Sequence, residues 1–155
     1  MTVANRIQDF LLSKNVDGLR AYVRQEGNSV TESLIAVLDQ DVDGSIKVMA
    51  VDALGLTSDP RALRVLIGVY ENSTGHFRKV AALSIGNIAA NRVKELWSIP
   101  TLISIAKDSS FDFAIRQQSI LALISFRKNV PQADAALKEI SADPSEDFNL
   151  RYLAS

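Results

Sequence analysis

Ser45-Ile46-Lys47-Val48-Met49-Ala50-Val51-Asp52-Ala53-Leu54-Gly55 and Phe77-Arg78-Lys79-Val80-Ala81-Ala82-Leu83-Ser84-Ile85-Gly86, both within the stretch from Asp43 to Asp108, are two copies of one pattern. Each runs through an apolar residue, a base, small residues one helical turn on, then an aliphatic residue and a glycine. A looser copy follows at Ile115-Arg116-Gln117-Gln118-Ser119-Ile120-Leu121-Ala122-Leu123, and a fourth opens at Leu150-Arg151-Tyr152-Leu153-Ala154. The bases Lys47, Arg78, Arg116 and Arg151 are 31, 38 and 35 residues apart. Self-similarity at that step is the signature of a solenoid or repeat array, and it decides the fold before any local propensity is weighed.

A second marker keeps the same step. Leu34-Ile35-Ala36-Val37, Leu66-Ile67-Gly68-Val69, Leu102-Ile103-Ser104-Ile105 and Leu137-Lys138-Glu139-Ile140 begin 32, 36 and 35 residues apart. Each precedes the base of the next segment by 12 to 14 residues. Two markers alternating at one period make the unit a helical hairpin, repeated.

Composition agrees with a packed, mostly helical domain: 47% of the residues are hydrophobic and only 6% aromatic, with 7 glycines and 4 prolines. At 155 residues the chain is long enough for one core. A formal charge of −1 argues against a general electrostatic grip on phosphate backbones. With no cysteine, thiolate catalysis, disulfides and cysteine-ligated metals are excluded, and the single His76 excludes a multi-histidine metal site. Met1–Lys14 contains Asp9 and lacks a basic segment followed by an apolar run, so it does not read as a signal peptide. No stretch approaches 18 uncharged apolar residues, so no membrane span is expected. The expectation is a soluble cytoplasmic domain.

Read in order, Val3, Ile7, Phe10 and Leu11 fall on one helical face. Asn15-Val16-Asp17-Gly18 breaks it, and Leu19, Tyr22 and Val23 mark a second short helix. Ser29 or Thr31 is the expected cap of the third. Asp59-Pro60 starts the helix that follows the first clear copy, with proline where its missing N–H costs nothing. Longer helices are predicted over His76–Asn91, Trp97–Lys107 (Ser98 as a cap) and Phe111–Arg127, and shorter ones from Pro131 and Phe148. The sum is ten helices and no strand. The fold class is all-α, in five hairpin units over residues 1–28 (degenerate), 29–57, 59–91, 94–127 and 129–155 (abbreviated).

Asp43/Lys47, Asp112/Arg116 and Asp147/Arg151 share an i, i+4 spacing, with the acid at the helix start. There it caps free N–H groups and suits the positive end of the macrodipole. The base lies one turn on, placed to pair with that acid or with the neighbouring unit's turn. Thr74 takes the acid's place before Arg78. These residues read as a structural ladder between units rather than a charged binding site.

With those residues in view, the sequence resembles the HEAT-repeat family, in particular the short HEAT-like repeats of phycobilisome lyases. Ile46-Lys47, Ala50 and Ala53-Leu54-Gly55, and Phe77-Arg78, Ala81 and Ile85-Gly86, match the Val-Arg, small-residue, Ala-Leu-Gly pattern of that family. Ile115-Arg116, Ser119 and Leu123 have lost the glycine. The likeness covers about 29–155 and implies a right-handed superhelix, with the base-carrying helix on its concave side. Carried over, it would turn Val48, Met49, Asp52, His76, Lys79, Val80, Leu83, Phe113, Gln117, Gln118, Leu121, Phe148, Asn149 and Tyr152 towards a groove. Such a strip, rich in Met, Phe, Leu and Tyr, suits a protein or peptide partner.

The function expected is a non-enzymatic adaptor or scaffold. The resemblance also allows a subunit or accessory of a bilin lyase, and a DNA-repair protein gripping bent duplex. The second ranks last, because Lys79 is the only base expected in the groove outside the ladder. His76 reads as a surface residue, since no nucleophile or carboxylate is tied to it by spacing. Trp97 reads as a core or inter-unit plug. Arg92, Lys94 and Lys79 make at most a small basic patch, interrupted by Glu95. No catalytic, cofactor-binding or metal-ligating residue is predicted. The apolar Phe148, Leu150, Tyr152 and Leu153 at the C-terminal edge leave open an abbreviated cap, an edge that docks on a partner or in a homo-oligomer, or a piece of a longer repeat array.

Overall fold

In the computed structural model, which describes residues 1–155, the chain is all-helical. The α-helices are α1 (Val3–Leu12), α2 (Val16–Glu26), α3 (Thr31–Leu38), α4 (Gly44–Leu54) and α5 (Pro60–Asn72). They continue as α6 (Gly75–Asn91), α7 (Ile99–Lys107), α8 (Phe113–Phe126), α9 (Pro131–Ala142) and α10 (Phe148–Ala154). Short 3₁₀ turns at Gly27–Val30 and Leu96–Ser98 lead into α3 and α7. No helix is long and apolar enough to cross a membrane.

Aspartates start most of the base-carrying helices, because a short carboxylate reaches an N–H that has no partner in the first turn. Asp43 accepts from Ser45 N at 3.0 Å, Asp112 from Ile115 N at 3.1 Å, and Asp147 from Asn149 N and Leu150 N at 2.8 and 3.2 Å. Asp59 accepts from Arg61 N at 3.0 Å, with Pro60 opening α5. Three expected caps differ. The chain enters α3 through the 3₁₀ turn with Val30 at the cap position, and the Ser29 hydroxyl donates back to Glu26 O. Thr74 stands at the start of α6 without a side-chain bond. Ser98 gives its hydroxyl to Glu95 O.

The helices pack as two rows. Each of α3, α5, α7 and α9 contacts the helix that follows it, and the even-numbered helices form a chain of contacts, α2 to α4 to α6 to α8 to α10. The odd-numbered row is joined by α1 to α3, α3 to α5 and α7 to α9. One apolar core runs between the rows, from Ile7 and Leu11 through Leu34, Leu54, Leu66, Ile85, Leu102 and Ile120 to Leu150.

The recurring glycines have a packing cause. A Cβ on Gly55 would lie 2.8 Å from Ser84 Cβ, and one on Gly86 would lie 2.7 Å from Gln118 Cβ and 3.0 Å from Ser119 N. Both glycines therefore mark places where one even-numbered helix crosses the next with no room for a methyl group. The small residues around them, Ala81, Ala82, Ser84 and Ala89 on α6 and Ser119 and Ala122 on α8, are buried for the same reason.

Candidate functional site

The ladder resolves into two separate jobs. The acids at the helix starts cap, and the bases reach the next unit's turn. Arg78 approaches Asp108 at 3.7 Å, and Arg116 holds Glu146 with two nitrogens, one at 2.8 Å. Base and acid are 30 residues apart in both pairs. Arg116 also donates to Ala106 O at 2.9 Å, and Arg151 repeats that contact 35 residues on, with Ser141 O at 3.5 Å. The turns repeat as well: Asp108 accepts from Ser110 N and hydroxyl, Asp143 from Ser145 N and hydroxyl. Lys47 has no acid within 4 Å, and Asp43 sits 3.7 Å from Lys14 instead.

Burial divides these pairs by weight. The Arg116 and Glu146 side chains are only 6% and 14% exposed, so this is a desolvated, bidentate pair. The Arg116 guanidinium, bonding to the ionised form, holds the Glu146 carboxyl below the usual carboxylate range. Ser110 lowers Asp108 first, with Arg78 adding to it, and the Arg61 side chain lowers Asp59. Arg78 also lies 4.2 Å over the Tyr70 ring and 5.2 Å from that of Phe111, so its stem and head tie α5, α6 and the next turn together.

The expected groove residues fall into two sets by their step from the base. One residue beyond each base, and four further on, Lys79, Leu121 and Tyr152 are exposed and Val48, Asp52, Leu83 and Gln117 half-buried, on α4, α6, α8 and α10. Three residues before the base stand Phe113 and Phe148, which complete the same stripe. Phe148 and Tyr152 stack at 6.5 Å and are 72% and 76% exposed; Phe113 and Leu121 are 41% and 37% exposed. These four are half of the large apolar residues that the chain leaves in solvent.

Two residues beyond the base, side chains are buried or half-buried. Met49 is 7% exposed, Val80 is half-buried, and Gln118 lies against Gly86. The expectation of an open Met49 is corrected: that step points along the row of helices, into the contact with a neighbour. Asp52 is on the stripe but already engaged, accepting from Arg20 at 2.9 and 3.2 Å. His76 is exposed. It borders a mostly apolar cleft of about 570 Å³ with Lys14, Val16, Val48, Met49 and Phe77. Lys14, Val16 and Phe77 were not legible as site residues, because a hairpin-by-hairpin reading gives no sign that the α1–α2 turn reaches α4 and α6.

Trp97 is not a plug. It is 36% exposed beside the open Leu96, and Arg64 lies 4.3 Å over its ring on the odd-numbered row. Of the suspected basic patch, Arg92 donates to Gly55 O and Lys94 to Ala90 O, so two of its three members are helix-end partners. No protein-family model and no curated protein matches the chain. No group of three or more acids and histidines is arranged to hold a metal.

Proposed function

We propose that the chain is a right-handed solenoid of HEAT-like hairpins acting as a non-enzymatic adaptor, with a partner protein or peptide held along its even-numbered helices. The observation that carries this reading is the exposed stripe of Phe113, Leu121, Phe148 and Tyr152 on two helices that contact each other. Exposed apolar side chains clustered in this way mark an interaction site. Aromatic side chains are favoured at such sites because they bury much area while ordering few torsions. The helices beneath are fixed by one core and by the Arg78–Asp108 and Arg116–Glu146 ties, so little freedom is lost on docking.

The test is affinity capture from source-cell lysate with wild type and a Leu121→Glu/Phe148→Ser variant shown by circular dichroism to stay folded. A protein held by the wild type and released by the variant supports the reading. A protein held equally by both moves the interaction to another face. Capture of nucleic acid or pigment alone overturns the adaptor.

A further inference from the structure

The stripe has a charged edge. Phe113 and Phe148 are the first residues of α8 and α10, so the capping Asp112 and Asp147 stand directly beside them. Each aspartate gives only its Oδ1 to the helix, leaving Oδ2 without a hydrogen bond, and neither has a base within 4 Å. Arg78, Arg116 and Lys107 are committed to Asp108, Glu146 and Glu139, which leaves the exposed Lys79 on α6 as the one base of the stripe with no acid within 4 Å. Arg151 turns back towards Ser141 O. The opposite end of α8 carries Arg127 and the exposed Lys128, with Arg127 engaged by Asp134 and the end of α10.

Two surfaces thus meet at one corner: an aromatic face and an unpaired carboxylate rim. Residues 112, 113 and 117 correspond to 147, 148 and 152 at the same 35-residue step, on helices in contact, so the corner is presented twice on one side. The helix dipoles soften the two charges without reversing them.

We propose that the occupant of this face is a basic amphipathic segment of a partner protein. Its apolar side chains lie on Phe113, Leu121, Phe148 and Tyr152, and its Lys or Arg residues meet Asp112 and Asp147. The proposal rests on the adaptor reading and names the partner's chemistry. An acidic segment would bring like charges to the rim, and a neutral one would leave the rim's charge unanswered. A cation placed over Phe148 or Tyr152 gains a further attraction from the ring face.

The test uses two labelled peptides of the length of α8, 14 residues. One has leucine at helical spacing and lysine elsewhere; its twin has glutamate for lysine. Fluorescence anisotropy is read with wild type, with Phe148→Ser/Tyr152→Ser and with Asp112→Asn/Asp147→Asn, asparagine keeping the caps. All three proteins are first checked by circular dichroism. The expected result is that the lysine peptide binds tighter than its twin, loses about tenfold or more with the serine pair, and loses about fivefold with the asparagine pair. The asparagine effect should shrink as salt is raised, because the rim is solvent-exposed.

If the glutamate peptide binds as well or better, and still needs Phe148 and Tyr152, the basic partner is overturned and the adaptor reading stands. Binding of either peptide that ignores the serine pair overturns both. If neither peptide binds, the proposal falls, and the capture experiment alone decides the adaptor reading.

Discussion

Replacing Gly86 by alanine tests the packing argument at its tightest point. The added Cβ would sit 2.7 Å from Gln118 Cβ and 3.0 Å from Ser119 N, where carbon atoms at rest keep about 3.5–4.0 Å. The obstacle includes backbone of α8, so no side-chain rotation removes it, and α6 and α8 must part by roughly an ångström. Overpacking of this kind costs about 1–3 kcal/mol. Against it, alanine gains about 1 kcal/mol over glycine within a helix. Gly68 supplies the control, since it lies inside α5 and a Cβ there meets nothing within 4 Å. Gly68→Ala should therefore stabilise by up to about 1 kcal/mol while Gly86→Ala destabilises, a gap of about 1–3 kcal/mol. With a urea slope of about 2 kcal/mol/M, the two unfolding midpoints should separate by roughly 0.5–1.5 M, on either side of wild type. If both variants raise the midpoint alike, the glycine of the repeat is not there to let helices cross.

The ladder and the surface give the remaining predictions. Arg116→Met should cost about 3–5 kcal/mol in urea unfolding, because it strands a buried Glu146 and the Ala106 carbonyl, and adding Glu146→Gln should restore part of that; a loss under about 1 kcal/mol would remove Arg116 from the structure's supports. The Glu146 carboxyl, lowered by Arg116, and that of Asp59, lowered by Arg61, both titrate below their unfolded values in the folded chain. Their stabilisation is thus complete above about pH 4.5 and lost as pH falls through the folded values, so Tm should be flat from neutrality to about pH 5 and drop below about 4. Arg116→Met should shallow that drop, and an unchanged acid limb would refute the assignment. Arg64→Met should change Trp97 fluorescence and cost about 0.5–1 kcal/mol, the worth of an exposed cation–π contact; an unaltered spectrum would mean that the two side chains do not stack in solution.

What the sequence made legible follows from what a period can encode. A spacing of 35 residues fixes which positions are equivalent, so helices, aspartate caps and the alternation of two helix types could be read without any contact in hand. It could not say which of two acids a base would choose. Arg116 has Asp112 one turn back, yet that carboxylate turns its Oδ1 to Ile115 N, and the guanidinium is drawn down to Ala106 O and across to Glu146. A helix start offers an N–H close at hand, so the acid is oriented by its own helix and the base reaches onward. The same competition explains Asp108 and Glu146, which stand 30 residues beyond Arg78 and Arg116: that spacing was present in the sequence, but only the turn geometry gives it meaning.

Met49 shows the other limit. Periodicity places Met49 and Val48 side by side, one step apart on α4, and a step of 100° is the width of the whole apolar stripe of a surface helix. Which of the two reaches solvent depends on where the neighbouring helix lies, and that is set by glycines and alanines on α6 that carry no directional signal of their own. Once Gly55 draws α6 against α4 at Ser84, and Gly86 draws α8 against α6 at Gln118, Met49 is closed while Lys79 and Tyr152 stay open, and Val48, Val80, Gln117 and Gln118 are left half-buried. The aromatic stripe on α8 and α10 is thus a consequence of how closely the helices cross. A change at Gly86 that parts them should alter the exposure of Gln117 and Leu121 before it alters the helices themselves.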